Sequence, residues 1–196
     1  MLPDPTFRPA TRADAGTLTI LIDIAGNALA NQIWLDAAGP GQSAIEVGRH
    51  SVLQDTGVDS YRNATIAIVG DEVAGCMIGG LPERLYDFSR IEEKPALFRP
   101  VARLASQAAG SWYIDVIASF AEFRGCGLGS KLLALATSKA RDAGAPENSL
   151  VVGSWNEGAE RLYARCGFSV VAREPAVLPE NYPQSGEWML MTRPLK

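Results

Sequence analysis

The chain has 196 residues, 47% hydrophobic and 20% charged, and its 19 glycines and 12 prolines fall well short of the fraction that marks disordered or fibrous proteins. That amounts to one globular domain, two at most, able to bury about 70% of its unfolded surface without a metal or disulfide staple. A formal net charge of −4 disfavours a nucleic acid or an anionic membrane as partner for the surface as a whole, without excluding a local positive site. Cys76, Cys126 and Cys166 are odd in number and form no CxxC, which argues against a disulfide framework or zinc site and for a reducing cytoplasm. One histidine, His50, argues against metal chemistry and against Ser-His-Asp or Cys-His catalysis. Met1-Leu2-Pro3-Asp4-Pro5 lacks the basic and apolar regions of a signal peptide, and no apolar run reaches the ~18–20 residues of a membrane span.

In chain order, residues 6–10 read as a short strand. Thr11 followed by Asp14 reads as a capped helix start, and Ala15, Leu18, Ile22, Ala25 and Leu29 continue it at helical spacing. Gly39-Pro40-Gly41 stops that run, and a second helix is expected over about 42–55. Tyr61–Val69 reads as a strand, turned at Gly70-Asp71-Glu72 into a second over Val73–Ile78. Residues 81–110 carry Pro82, Pro95 and Pro100 but also Ile91, Leu97, Phe98, Val101 and Leu104. They read as an inserted, partly helical segment packed on the domain, either a surface excursion or a cover for a substrate site.

The pattern sharpens at Trp112–Ala118, a strand, followed by the loop Phe123-Arg124-Gly125-Cys126-Gly127-Leu128-Gly129-Ser130. Leu128, Leu132, Leu135, Ala136 and Lys139 then mark a helix face that ends at Gly144. Leu150–Val152 is a strand, Asn156 caps a helix with apolar face Ala159, Leu162, Tyr163 and Cys166, and Gly167 ends it. Val170-Val171 and Trp188–Thr192 are the last strands. Strand, glycine loop and helix start form a phosphate-binding arrangement: glycines let main-chain N–H groups converge, and the helix start adds partial positive charge. The Rossmann fingerprint lacks its third glycine here, where Ser130 stands, and a P-loop fails because Ser130 separates Gly129 from Lys131.

Arg124-x-x-Gly127-x-Gly129 after a strand and before an amphipathic helix resembles the pyrophosphate loop of the GNAT-type N-acetyltransferases. Asn156-x-x-Ala159-x-x-Leu162-Tyr163-x-x-x-Gly167-Phe168 resembles the second hallmark of that family, one helix and one strand later. Phe7-Arg8-Pro9-Ala10-Thr11-x-x-Asp14 is similar to its usual opening. The resemblance is strong over about 112–168 and thin over 30–60 and 81–110. It implies one α/β (α+β) domain over 1–196, inserted at about 81–110, with a mixed, largely antiparallel central sheet flanked by helices.

It also implies acetyl transfer from acetyl-CoA to a primary amine by direct attack, chemistry that needs no metal and no nucleophilic side chain. The pyrophosphate would lie on Arg124, Gly125, Cys126, Gly127, Leu128, Gly129 and Ser130. The pantetheine arm would pair with Ile117, Ala118 and Ser119, and an N–H near Ser119 would polarise the thioester carbonyl. Tyr163 matches the residue that protonates the departing sulfur in many members. Asn156, with Ala159 in the same motif, matches the position that contacts the arm.

Asp115 stands where members often carry an acid facing the acceptor, and alternation sets it on one face with Tyr113 and Ile117. Glu83 is a second candidate base. Trp34, Tyr86, Phe88, Tyr182 and Trp188 are candidate walls of the acceptor pocket. The acceptor is a small-molecule amine or a protein or peptide amine, and a homodimer is the family-level expectation. Two other classes stay open: an acyl-CoA-binding regulatory module without turnover, and a nucleotide-dependent oxidoreductase.

Overall fold

The computed structural model describes residues 3–195, the side chain of Arg84 excepted. Met1 and Leu2, the start of the segment read against a signal peptide, lie outside the described residues. Seven strands form one sheet in the order β1-β2-β3-β4-β5-β7-β6. They are β1 (Thr6–Pro9), β2 (Ala64–Val69), β3 (Glu72–Gly80), β4 (Trp112–Ser119), β5 (Glu147–Gly153), β6 (Ser169–Pro175) and β7 (Glu187–Pro194). β4 and β5 run parallel, Trp112 opposite Asn148, whereas β1/β2, β2/β3, β5/β7 and β6/β7 are antiparallel. The mixed, largely antiparallel sheet expected from the sequence is the one observed. The helices are α1 (Ala15–Ala25), α2 (Leu29–Ala37), α3 (Ala44–Val52), α4 (Pro82–Leu85), α5 (Arg99–Ser106), α6 (Leu128–Asp142) and α7 (Glu157–Arg165). No single helix among the described residues is long and apolar enough to cross a membrane. By residue contacts the chain divides into two compact units, Met1–Gly79 with Val116–Leu132 and Gly80–Asp115 with Leu133–Lys196.

In the first unit the helix expected to continue from Ala15 through Leu29 breaks after Ala25. Asn27 and Ala28 take left-handed backbone, with φ of 52° and 68°. The break is held by Asp23, whose carbonyl accepts from Ala28 N–H at 3.0 Å and whose Oδ1 accepts from Asn31 N–H at 2.7 Å. α2 then packs on α3, where Gly48 makes room for Trp34: a Cβ at Gly48 would come within 2.7 Å of the indole. The strand expected from Tyr61 begins only at Ala64, because Ser60 Oγ caps Arg62 N–H and winds Tyr61–Asn63 into a 3-10 turn. Leu18, Leu21, Trp34, Val52, Ile66, Cys76, Ile78, Val116 and Ala118 share the core of this unit.

The Thr11–Asp14 start is realised as a 3-10 turn leading into α1. Asp14 accepts from the Thr11 N–H (2.7 Å) and hydroxyl (2.8 Å) and from both Arg8 terminal nitrogens (2.7 and 2.8 Å). The Arg8 guanidinium first, with the Thr11 donors, holds the Asp14 carboxyl well below the usual carboxylate range. Asp14→Asn is expected to cost about 1–2 kcal/mol at neutral pH, read by urea denaturation. Because the folded value is depressed, this stabilisation is complete above about pH 4 and is lost only as pH falls through the lowered value. The gap between the two proteins should therefore close in strong acid.

In the second unit part of the segment after β3, expected from the sequence as an insertion or a surface excursion, packs against β7. α5 lays Leu104, with Ala108 just beyond its end, against Leu190 of β7, with Val151, Ala172 and Trp188 around them. Arg103 bridges Glu92 at 2.9 Å and Glu174 at 3.3 Å, and Glu83 Oε1 accepts from Gly110 N–H at 2.7 Å. Asn148, fully buried on β5, accepts from Thr137 Oγ1 at 3.1 Å and donates to Ala136 O at 3.3 Å, so its amide is satisfied inside the core.

Candidate functional site

The first unit carries the glycine loop. β4 ends at Ser119, and a 3-10 turn, Ala121–Phe123, delivers the chain to Arg124, whose N–H bonds Ala121 O at 3.1 Å. Gly125 and Gly127 then take φ of 75° and 85°, backbone that L side chains rarely adopt, and open space lies where each would place a Cβ. Arg124, Gly125, Cys126, Gly127 and Ser130 are exposed, Gly129 is half-buried, and buried Leu128 anchors the helix start. Lys131 N–H closes the first turn of α6 on Gly127 O at 3.2 Å, so the loop runs directly into a helix N-terminus. The Cys126 thiol donates to Phe123 O at 2.8 Å. The Lys131 ammonium pairs with Asp4.

Upstream of the loop, Ala118 is buried, and Ile117 and Ser119 are half-buried. The Ala118 carbonyl and the Ser119 Cα lie against Gly75 of β3, and Phe120 N–H bonds Ala74 O at 3.0 Å. Trp34, proposed from sequence as a pocket wall, is only 6% exposed and belongs to the apolar core of this unit.

The second unit carries the candidate acid and base. Tyr163 lies on α7, its ring 6.0 Å from that of Phe168. Tyr163 is half-buried, and burial pushes its phenol up to about 12, so the phenol stays protonated throughout the physiological range. Asn156 uses Oδ1 to cap α7, accepting from Ala159 N–H at 3.2 Å, which leaves its NH2 as the carboxamide's other polar group. Asp115, half-buried on β4, accepts a hydrogen bond from the Tyr86 hydroxyl.

Tyr113, two residues before Asp115, is a group to which sequence reasoning assigned no role. It is fully buried, and its ring meets that of Tyr86 edge-on at 5.8 Å. Burial first, then the charge of Asp115 and the nearby Tyr163 phenol, holds its own phenol well above the ordinary range. Glu83, the second candidate base, has its Oε1 committed to Gly110 N–H. Tyr182 and Trp188 flank Trp155, at 6.5 and 4.8 Å, and Phe88 stacks on Tyr86 at 5.8 Å. Among the described residues no cluster of three or more His, Cys, Asp or Glu side chains could hold a metal ion.

The family model described as the acetyltransferase (GNAT) family matches residues 50–168, which include the glycine loop and the α7 motif. Similar solved structures include an acetyltransferase with TM-score 0.66 and 22% identity, covering 97% of this chain and 100% of its own. An N-acetyltransferase from Staphylococcus aureus Mu50 follows at 0.65 and 20%, covering 95% and 99%. The Salmonella typhimurium protein yncA, solved with its cofactor acetyl-CoA, is similar at 0.60 and 20%, covering 99% and 95%. No curated protein matches the chain. With the family match spanning more than half of its length, the chain belongs to the GNAT family of acetyltransferases.

Proposed function

We propose that the protein transfers an acetyl group from acetyl-CoA to the nitrogen of a primary amine by direct attack. The observation that carries this reading is the turn from β4 into α6 through two left-handed glycines with open space beside them. Main-chain N–H groups there suit a pyrophosphate, which needs converging donors and no side chain in the way. Arg124 and the backbone from Gly125 to Ser130 would hold the diphosphate. The backbone of Ile117, Ala118 and Ser119 would take the pantetheine arm, and Asn156 its polar groups.

Asp115 would accept the proton of the entering ammonium, and the freed nitrogen lone pair would attack the thioester carbonyl carbon. An N–H near Ser119 would stabilise the oxyanion. The C–S bond then breaks with its electron pair leaving on sulfur, which Tyr163 stabilises by donating a hydrogen bond. The second proton of the nitrogen ends on the thiol, so atoms and charge balance.

Titration calorimetry with acetyl-CoA, followed by release of free thiol in the presence of spermidine, lysine, tyramine or an alanine-initiated peptide, tests the reading. Saturable binding and amine-dependent thiol release are expected. Binding without release from any amine would instead make this an acyl-CoA-binding module. Gly127→Ala should cost only about 1–2 kcal/mol of stability, because space is open there and only the backbone is strained. Its methyl group would intrude on the anion nest, and the acetyl-CoA dissociation constant should rise about tenfold or more, read by the same calorimetry.

A further inference from the structure

Lys131 stands where a cation is disfavoured. It is the fourth residue of α6, in a first turn that holds no acidic residue, and its charge opposes the partial positive charge of the helix start. The compensating charge comes from far away in the sequence. Asp4, two residues before β1, accepts a hydrogen bond from the Lys131 ammonium and forms an ion pair with it, both residues lying in the first unit. That hydrogen bond, and then the ammonium charge, hold the Asp4 carboxyl below its usual range, so it is ionised at neutral pH. The pair is open to solvent, with the Asp4 side chain 95% and the Lys131 side chain 42% exposed. Screening makes such a pair weak and readily exchanged for another anion.

We propose that Asp4 is a built-in competitor of the cofactor: its carboxylate rests on the Lys131 ammonium in the free protein, and a phosphate group of acetyl-CoA displaces it and takes that ammonium as a ligand. The inference rests on the glycine loop holding the diphosphate. Lys131 N–H closes the turn that begins at Gly127. Its side chain therefore leaves the helix within one turn of the main-chain donors, on a flexible four-carbon stem. A phosphate monoester carries up to about two negative charges against one on a carboxylate, which favours the exchange. A local conflict between a lysine and a helix start is expected where a ligand, and not the fold, supplies the partner. The diphosphate and the 3′-phosphate of the cofactor both offer that chemistry.

The test is titration calorimetry of the full chain with acetyl-CoA and with acetyl-3′-dephospho-CoA. Lys131→Gln should raise the acetyl-CoA dissociation constant about five- to tenfold, whereas Lys131→Arg should keep it within about threefold of wild type. Asp4→Asn should lower it about two- to fivefold, because the ammonium is no longer occupied. Added to Lys131→Gln, Asp4→Asn should have no further effect, which marks competition for one group rather than a general loss of negative charge. A Lys131→Gln loss that disappears with the dephospho cofactor supports the proposal with the 3′-phosphate as ligand, and one that persists supports it with the diphosphate. Unchanged affinity in Lys131→Gln, or an Asp4→Asn gain that survives without Lys131, overturns the proposal. Wild-type protein that takes up no acetyl-CoA would instead remove the reading of the loop itself, and the proposal with it.

Discussion

Tyr163→Phe is expected to lower kcat by about 10- to 1000-fold while leaving the acetyl-CoA dissociation constant within about threefold of wild type. The phenylalanine keeps the ring contact with Phe168, so the packing of α7 is preserved and only the hydroxyl is lost. Burial has already raised that hydroxyl to about 12, above the roughly 8.5 of an ordinary thiol. Complete proton transfer from such a phenol to a thiolate runs uphill. Its useful contribution is therefore a hydrogen bond that strengthens as charge develops on sulfur, an interaction made in the transition state and not in the ground state.

The raised value has a second consequence, whose sign is fixed. The phenol is neutral in both folded and unfolded chains below about pH 10, where its contribution to stability is full. That contribution is lost as pH rises from about 10 toward the folded value. The wild-type kcat should accordingly show no tyrosine limb below about pH 10, and alkaline unfolding of the Phe variant should start later than that of wild type. Parallel losses of kcat and cofactor affinity in stopped-flow and calorimetric measurements would make Tyr163 a packing residue instead.

What the sequence made legible was local. Gly125 and Gly127 declare themselves because a helix start and a reversal of φ lie within a few residues of each other. Asn156 does so because a cap and its N–H partner are three residues apart. The break between α1 and α2 was hidden because Ala28 has no intrinsic preference for φ of 68°. The turn is imposed by Asp23 bonding forward to Asn31, a contact absent from any helical periodicity.

Tyr86 was named as a pocket wall and Asp115 as a base, but their hydrogen bond joins residues 29 positions apart, across a proline-punctuated segment. No spacing rule spans such a distance. Trp34 illustrates the converse: an aromatic on a helix has the same pattern whether it faces a ligand or Gly48, and only packing distinguishes them.

The backbone rather than a side chain sets the other large effect. A Cβ at Gly75 would stand 2.3 Å from the Ala118 carbonyl oxygen and 3.1 Å from the Ser119 Cα. Both are main-chain atoms, so no rotamer change relieves the clash. Gly75→Ala must push β3 away from the end of β4, at an expected cost of about 2–4 kcal/mol in urea denaturation. The register leaves little slack, because Gly75 is paired with Ala67 and the next pair, Ile68 with Val73, skips Ala74, which makes β3 bulge immediately beside Gly75.

The same carbonyl and Cα belong to the stretch proposed to hold the pantetheine arm, so acetyl-CoA affinity should fall about tenfold or more under conditions where the variant is still folded. Cys76→Ala provides the comparison. Cys76 is fully buried next to Gly75, and its truncation leaves a small cavity costing about 1–2 kcal/mol, without moving β4. Calorimetry on the pair separates general destabilisation from displacement of Ala118 and Ser119: only the glycine variant should lose the cofactor. Wild-type affinity in Gly75→Ala would remove the end of β4 from the binding surface.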